Sequence, residues 1–131
     1  MANTPEDLSY TKDHEWVRVS GDQATVGITD HAQQQLGDVV YVELPKVADK
    51  FETSEPFGSV ESVKAVSEIY MPVGGAVVEV NSALNDAPEK VNTDPYGDGW
   101  MIIIKPDNPA QLDGLLTAAE YEDYIKEEAS E

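Results

Sequence analysis

The side chain in this chain best suited to covalent chemistry is a lysine in a segment of small and β-branched residues, 58–68. Lys64 lies between Val63 and Ala65, and the whole chain has only 8 Lys plus Arg against 26 Asp plus Glu. It therefore has no basic patch around it and no evident structural task. Most lysines are only solvated side chains, but small neighbours leave this amine accessible. The pattern favours an amine that another enzyme modifies.

Other catalytic and metal-binding arrangements have weaker support. The chain has no Cys and only 2 His, which are too few for a His/Cys metal site. Ser62, His31 and Asp30 could form a triad on paper, but no G-x-S-x-G turn presents the serine. Helix capping and solvent exposure explain Asp30 and His31 more simply. No phosphate-binding glycine loop occurs, and the acidic residues lack calcium-loop spacing.

Composition limits the class of protein further. At 131 residues the chain fits a single domain with its own core. A net charge of -18 disfavours binding to nucleic acid or to an anionic membrane, and it favours partners with basic surfaces. No apolar segment approaches the roughly 20 residues of a membrane span, and the N-terminus lacks the features of a targeting peptide. We expect a cytoplasmic protein, or a mature mitochondrial one whose targeting segment has been removed.

Hydrophobic periodicity predicts a mostly β chain with short helices. Strands are predicted at 15–19, 23–28, 38–44, 75–80 and 100–105, with a short extended piece within 46–55. The first two are predicted to form a hairpin through a tight turn at Ser20-Gly21-Asp22. Helices are predicted to begin with Thr29 or Asp30 as N-cap, with Asn108 as N-cap, and at Thr117, which forms a capping-box pattern with Glu120. The strand at 38–44 is apolar on both faces, which predicts burial on both sides. Residues 81–99 are predicted to form a long loop.

A short internal repeat flanks the lysine segment. The pattern G-x-V-V-x-V occurs at 37–42 and returns at 75–80. It indicates two related halves, with Lys64 between the repeated strands. The residues themselves do not predict a turn at the lysine, because Val63-Lys64 is not an Asn-Gly or Asp-Gly hairpin signal.

Several motifs occur in the order and spacing of one known family: His14-Glu15-Trp16-Val17, Val26-Gly27-Ile28-Thr29-Asp30-His31-Ala32, Leu36-Gly37-Asp38-Val39-Val40, Val42-Glu43-Leu44-Pro45, Gly58-Ser59-Val60-Glu61-Ser62-Val63-Lys64-Ala65, and Pro95-Tyr96 to Gly99-Trp100. In these motifs the chain resembles the H protein of the glycine cleavage system, and the resemblance covers the chain from about residue 10 to residue 124.

This resemblance implies a lipoyl/biotinyl-type flattened β-barrel of two sheets with a quasi-twofold axis, called a barrel-sandwich hybrid, and a C-terminal helix. It implies a single lipoyl-binding domain over 1–131, with an N-terminal extension at 1–9 and C-terminal helices within 108–131. The acidic tail, 127–131, is expected to fray, because negative charge at a helix C-terminus opposes the helix dipole.

The resemblance also implies a carrier that is not itself an enzyme. Lipoic acid would be joined by an amide bond to Lys64, within a motif that includes Glu61, Val63 and Ala65. The carrier would take the aminomethyl group of glycine from the pyridoxal-phosphate decarboxylase (P protein) and pass it to the tetrahydrofolate-dependent aminomethyltransferase (T protein). Dihydrolipoyl dehydrogenase (L protein) would reoxidise it, and a lipoate ligase or lipoyl transferase would attach the cofactor. We expect a monomer.

The transferred group contains an amine, which is a cation near neutral pH and is best held by a carboxylate. We expect Glu15 and Glu68 to supply that carboxylate, with Ser67 as a hydrogen-bonding neighbour. Asp30 is a weaker candidate. Holding the group in a groove would slow its hydrolysis by water.

Other functions remain open. A biotin carrier domain has the same architecture but places Met on both sides of its lysine, where this chain has Val63 and Ala65. The lipoyl domains of 2-oxoacid dehydrogenases typically have Asp before the lysine, at the position of Val63. The chain could also donate lipoyl groups to such proteins, or be an unmodified interaction module.

Overall fold

The computed structural model describes residues 4–129, and the side chains of residues 4–127. The strands are β1 (Ser9–Tyr10), β2 (Glu15–Ser20), β3 (Gln23–Ile28), β4 (Val39–Glu43), β5 (Lys50–Phe51), β6 (Pro56–Ser62), β7 (Val66–Tyr70), β8 (Gly75–Val80) and β9 (Ile102–Pro106). The helices are α1 (Asp30–Leu36), α2 (Lys90–Thr93) and α3 (Ala118–Ala129), with 3-10 helices at Ser82–Asn85 and Pro109–Gly114. The prediction of a mostly β chain with short helices is confirmed.

The larger sheet has six strands in the order β1-β2-β3-β9-β8-β5. Its β2–β3 hairpin forms as predicted, and Ser20 pairs with Gln23 across the turn. Gly21 lies in that turn with a φ of +62°, a conformation that is costly for any residue with a Cβ. The short extended piece predicted within 46–55 is β5, which pairs with β8.

The smaller sheet has the order β4-β6-β7, with antiparallel neighbours. Its buried side chains, such as Val42, Val60 and Ile69, share one hydrophobic core with Val26 and Ile102 of the larger sheet. Two sheets around a common core confirm the predicted flattened, lipoyl-type architecture. Among the described strands, hydrogen bonding is divided between two separate sheets and does not close them into one barrel.

The two copies of the internal repeat become β4 and β8, one in each sheet. In both strands the pairing register shifts at the second valine of the pattern, which is Val40 in β4 and Val78 in β8. A β-bulge inserts one unpaired residue and bends the strand locally. The repeat therefore places the same irregularity at the same point of each sheet, as expected of two related halves.

A second hydrophobic cluster attaches both ends of the described chain to the larger sheet. Tyr10 and Tyr121 are buried in this cluster, and their rings stack with centroids 4.7 Å apart. Leu8 is buried there as well. The N-terminal extension predicted for 1–9 therefore overlaps the packed fold, while residues 1–3 lie outside the described part.

The C-terminal helix begins with the predicted capping box. Thr117 N donates to Glu120 Oε1 at 2.9 Å, and Glu120 N donates to Thr117 Oγ1 at 3.2 Å. The helix continues through Ala129, so helical structure extends into the tail that was expected to fray from residue 127. Ser130 and Glu131 lie outside the described residues.

The prediction that residues 38–44 are buried on both faces is wrong. Val39 and Val42 are buried, but Val40 and Tyr41 are each 51% exposed. A run of apolar residues predicts two buried faces only where both faces of the sheet are covered. The outer face of the smaller sheet is open at these positions.

The long loop predicted at 81–99 contains a 3-10 helix and α2. Leu84 and Val91 are buried in the main core and anchor these two helices. The mostly polar composition of residues 81–99 gave no sign of them. The helix predicted at Asn108 is capped as expected, since Asn108 Oδ1 accepts a hydrogen bond from Ala110 N at 3.3 Å. It is a 3-10 helix and not an α-helix.

Candidate functional site

The lysine segment forms the β6–β7 hairpin, whose turn the residue pattern does not predict. Glu61 pairs with Val66, and the chain reverses through residues 62–65. None of those residues has a positive φ, so this is not a glycine-type hairpin turn. Lys64 is exposed at the tip of the hairpin.

Ser62 holds this turn with its side chain. Its Oγ accepts hydrogen bonds from Lys64 N (3.3 Å) and Ala65 N (3.1 Å) and donates one to Ala65 O (3.2 Å). Backbone hydrogen bonds from Ser62 N to Ala65 O (2.8 Å) and from Val63 N to Asp38 O (3.0 Å) complete the turn. Sequence reasoning missed this role. The available signal was that serine hydroxyls commonly replace backbone partners in turns.

The structure does not support a catalytic triad of Ser62, His31 and Asp30. The Ser62 hydroxyl is already used within the turn, as described above. The Asp30 carboxylate accepts hydrogen bonds from Gln33 Nε2 (2.7 Å) and Gln34 Nε2 (3.1 Å), which is consistent with its place in the first turn of α1. The serine is a structural residue of the hairpin.

Gly37 makes room for the Lys64 side chain. It is the C-cap of α1, with a φ of +82°, and its N donates to Gln33 O at 3.0 Å. A Cβ at residue 37 would lie 3.5 Å from Lys64 Cε. The end of α1 therefore borders the lysine directly, and a glycine at this place both ends the helix and receives the lysine stem.

An open groove of about 320 Å³, here called the arm groove, begins beside the hairpin tip. Its lining includes Ala65 next to Lys64, the apolar side chains of Ile28, Leu36 and Ile69, and the polar side chains of His14, Gln35 and Ser67. Such a groove can accept an apolar ring while leaving polar groups for the end of a bound chain.

His14 connects the arm groove to the helices. It has a φ of +68°, and its Nδ1 lies 2.8 Å from Tyr121 Oη, which lies 2.8 Å from Thr29 Oγ1. Thr29 caps α1 as predicted. The expectation that His31 is simply exposed is wrong: its Nε2 is buried with no hydrogen-bond partner, and its ring lies 4.9 Å from that of His14. His31 lies in the first turn of α1, and contact with the His14 ring reduces its exposure.

Glu15 lies behind the arm groove and does not form part of its lining. It is 1% exposed, its Oε1 accepts from Thr11 Oγ1 at 2.8 Å, and its Oε2 accepts from Tyr70 N at 3.3 Å. Burial raises the pKa of the Glu15 carboxyl to about 7, although the two hydrogen bonds act in the opposite direction. Near neutral pH this carboxyl exchanges between its neutral and charged forms.

The remaining predicted site residues are divided between the two faces of the smaller sheet. Ser67 lines the arm groove. Glu68 is exposed and lines a second groove, of about 480 Å³. Glu61 is exposed and lies opposite Val66 on the hairpin. The structure therefore brings Ser67 to the arm groove with Lys64, whereas Glu61 and Glu68 point elsewhere.

The described residues contain neither a metal-binding cluster nor a membrane-spanning helix. In 4–129, no group of three or more His, Cys, Asp or Glu side chains could hold a metal ion. Within the same range, no helix is long and apolar enough to cross a membrane.

Comparison with known proteins assigns the family. The sequence profile described as "Glycine cleavage H-protein" matches residues 8–128. The chain belongs to this family. The glycine cleavage system H protein of Geobacillus kaustophilus is 59% identical over 125 residues, covering 95% of this chain and 98% of the relative. That of Herpetosiphon aurantiacus is 58% identical over 130 residues, covering 99% of each.

A solved structure agrees with the sequence comparison. The crystal structure of a glycine cleavage system H protein from Mycobacterium marinum is 41% identical and superposes with a TM-score of 0.83, covering 95% of this chain and 98% of that one. The resemblance stated from the motifs is therefore confirmed. The function predicted from it, a carrier protein of the glycine cleavage system, is confirmed for this H protein through its family.

Proposed function

We propose that Lys64 is the lipoyl attachment site of this H protein and that the arm groove receives the attached group. The observation that carries the proposal is the exposed lysine at the tip of a rigid hairpin, beside a groove that starts at the next residue. When bound, a lipoyl group supplies a dithiolane that accepts the aminomethyl group of glycine. Partner enzymes would perform the catalysis, and this chain would act as a carrier.

The residues of the arm groove fit such a group. Ile28, Leu36 and Ile69 offer apolar contact to a ring, and loss of the lysine charge on amide formation favours burial of the stem beside Gly37. The turn held by Ser62 keeps the attachment point in place. The chain therefore supplies a fixed origin and a resting site for a long flexible arm.

The amine of the transferred group needs a carboxylate. Ser67 is already on the arm groove. Glu15 and its hydrogen-bond partner Tyr70 directly follow two lining residues, His14 and Ile69. A cationic amine close to Glu15 would favour the charged carboxylate. Glu68 lines the second groove, so its part in the proposal requires the arm to pass across β7, the edge strand of the smaller sheet. Holding the amine as a cation, away from water, would slow loss of the transferred group.

The partners in this proposal are the P, T and L proteins of the glycine cleavage system and a lipoate ligase or lipoyl transferase. They would act in turn on the same arm, with the H protein as a monomer. Each must reach Lys64, which the exposed hairpin permits.

Intact-mass analysis after reaction with lipoate and an active ligase tests the attachment site. The parent and a Lys46→Arg control, which changes another exposed lysine, should each gain the mass of one lipoyl group. Lys64→Arg should gain none. An unmodified parent, under conditions in which the ligase modifies a known lipoyl domain, would refute the proposal.

A second experiment tests the carboxylates. Lipoylated protein loaded with the aminomethyl group should release ammonia and formaldehyde several-fold faster in the Glu15→Gln and Glu68→Gln variants. Glu61→Gln is the control, since Glu61 is an exposed glutamate of the same hairpin that lines neither groove. Equal release rates in the parent and in the two variants would remove Glu15 and Glu68 from the site.

A further inference from the structure

We propose that Asn92 is a positioning residue for the lysine tip, the turn at residues 62–65 of the β6–β7 hairpin. Its side-chain amide holds the connection between α1 and β4, and that connection holds the tip. This role rests on the proposed function, because a fixed position matters only if Lys64 is modified and carries the arm. Asn92 does not line the arm groove, so its role is separate from contact with the attached group.

Asn92 binds three partners that lie at least 53 positions away in the sequence. Its Nδ2 donates to Gly37 O at 2.8 Å and to Gln33 Oε1 at 2.9 Å. Its Oδ1 accepts from Val39 N at 2.8 Å. A backbone carbonyl only accepts and a backbone N–H only donates, so these two groups fix the orientation of the amide. A carboxylate at this position could accept from Val39 N but could not donate to Gly37 O.

The two backbone groups that Asn92 holds lie on either side of Asp38. Asp38 O accepts from Val63 N at 3.0 Å, and Val63 directly precedes Lys64. Gly37 borders the lysine stem, since a Cβ there would lie 3.5 Å from Lys64 Cε. Both of these contacts with the lysine tip are therefore made by residues that the Asn92 amide fixes from outside the hairpin.

The connection between α1 and β4 lies between two irregular points of the backbone. Gly37 ends α1 with a φ of +82°, and the pairing register of β4 shifts between Val39 and Tyr41. Asp38, which lies between these points, is exposed. An exposed segment with few packing contacts opens readily unless other bonds hold it. The Asn92 amide supplies bonds on both sides of Asp38, where neither a regular helix nor a regular strand supplies them.

The helix α2 gives this amide a fixed base. Val91, the residue before Asn92, is 0% exposed and belongs to the main core. The backbone of the helix is also bonded, since Asn92 N donates to Glu89 O at 3.0 Å. A side chain on a backbone that is already ordered loses less entropy when it binds than one on a mobile loop. Part of the segment 81–99, predicted from its composition as a long loop, therefore serves the lysine tip.

A tip held in one conformation presents Lys64 to a lipoate ligase without a separate ordering step. If the hold is lost, only a fraction of the protein has the tip in place, and the apparent affinity for the ligase falls by that fraction. Once the ligase has bound, its own contacts order the tip, and the chemical step is unchanged. Loss of the Asn92 amide should therefore raise the KM for the unlipoylated protein and leave kcat as it is.

Asn92→Asp and Asn81→Asp form a matched pair for the test. Asn81 lies on the same segment, and its Nδ2 also donates to two oxygens, Asp98 O at 2.8 Å and Trp100 O at 2.7 Å. In each variant a carboxylate replaces two donated hydrogen bonds and faces two oxygens, so that each should lower the unfolding free energy. Only Asn92→Asp removes a contact that leads to the lysine tip.

Two measurements on the full-length protein separate a positioning role from a merely structural one. In amide hydrogen exchange, protection of Val63 N–H should fall about tenfold in Asn92→Asp and less than about twofold in Asn81→Asp. In lipoylation by an active ligase, Asn92→Asp should raise the KM about tenfold and keep kcat within about twofold of the parent, while Asn81→Asp should change neither by more than about twofold. If Asn92→Asp does not fold, Asn92→Ser takes its place, because a serine side chain is too short to bind on both sides of Asp38.

Two outcomes would overturn the positioning role. If Val63 protection or the KM changes equally in the Asn92 and Asn81 variants, Asn92 supports the fold alone, while attachment at Lys64 stands. If the parent gains no lipoyl group under conditions in which the ligase modifies a known lipoyl domain, the proposed function fails and the positioning role fails with it.

Discussion

The two long hairpins of this H protein reverse direction by different means. The β2–β3 turn uses Gly21 at a φ of +62°, with nothing near the place where a Cβ would lie. The β6–β7 turn has no glycine and no positive φ in residues 62–65, and the Ser62 side chain satisfies its backbone instead. The first turn depends on a backbone conformation that only glycine adopts without strain. The second turn depends on the hydrogen bonds of a serine side chain.

The difference matches the tasks of the two hairpins. A glycine turn only has to reverse the chain, and its substitution affects backbone strain alone. A turn that must present a lysine benefits from a rigid backbone, and Ser62 supplies rigidity while Val63 and Lys64 stay exposed. The connection from Val63 N to Asp38 O further ties the tip to the segment before β4.

Glu15 joins the two hairpins, and its removal should have the largest effect on stability. It begins β2, and its Oε2 accepts from Tyr70 N at the end of β7. Burial raises its pKa from 4.5 to about 7, so the folded state binds the proton more tightly than the unfolded state. Proton binding at Glu15 therefore contributes about 3 kcal/mol to the free energy of unfolding. This stabilisation is fully present below about pH 4.5 and is lost as the pH rises through about 7.

Glu15→Gln should therefore remove about 3 kcal/mol of pH dependence between pH 4 and pH 8, measured as the free energy of unfolding in urea. Glu79→Gln, at an exposed strand position, should keep the pH dependence of the parent. If the Glu15→Gln and parent curves run parallel across this range, Glu15 is not the titrating group.

Ser62→Ala tests the side-chain turn directly. Ser62 is buried, and its loss leaves Lys64 N and Ala65 N without this acceptor, so we expect a loss of about 2 kcal/mol in unfolding free energy. The initial rate of lipoylation should also fall several-fold, because the lysine is held less rigidly. Ser20→Ala is the control in the other hairpin, where the serine is exposed, and it should cost less than about 0.5 kcal/mol.

Gly21→Ala tests the backbone turn. A Cβ would meet nothing within 4 Å, so only the positive φ is penalised, and we expect a loss of about 1 kcal/mol in unfolding free energy. The lipoylation rate should not change. In Gly114→Ala, a Cβ also enters open space but without a positive φ, and stability should not fall. Equal losses in the two variants would mean that strain at Gly21 is not the cause.

Val63→Thr should have the smallest effect. Val63 is 71% exposed at the lysine tip, so its unfolding free energy should stay within about 0.5 kcal/mol of the parent. Val60→Thr places the same hydroxyl at a fully buried position of the same hairpin and should cost about 1–3 kcal/mol. A comparable loss at Val63 would show that the tip is packed and not open.

The sequence by itself determined the elements whose signals are local. Gly21 predicted the first hairpin, Thr117 and Glu120 predicted a helix start, and the valine pattern predicted two equivalent strands. The sequence also indicates Lys64 as the functional residue, because an isolated lysine among small residues is visible in the chain itself. Each of these signals depends on residues only a few positions apart.

Only the tertiary structure decided how the site is built. The Glu15 carboxylate meets Tyr70 N across 55 positions of sequence, and the Lys64 stem passes Gly37, which ends a separate helix. The exposed faces of Val40 and Tyr41 likewise depend on which side of the smaller sheet stays uncovered. Burial, the raised pKa of Glu15 and the arm groove are properties of contacts between distant segments, and no local pattern encodes which segments will meet.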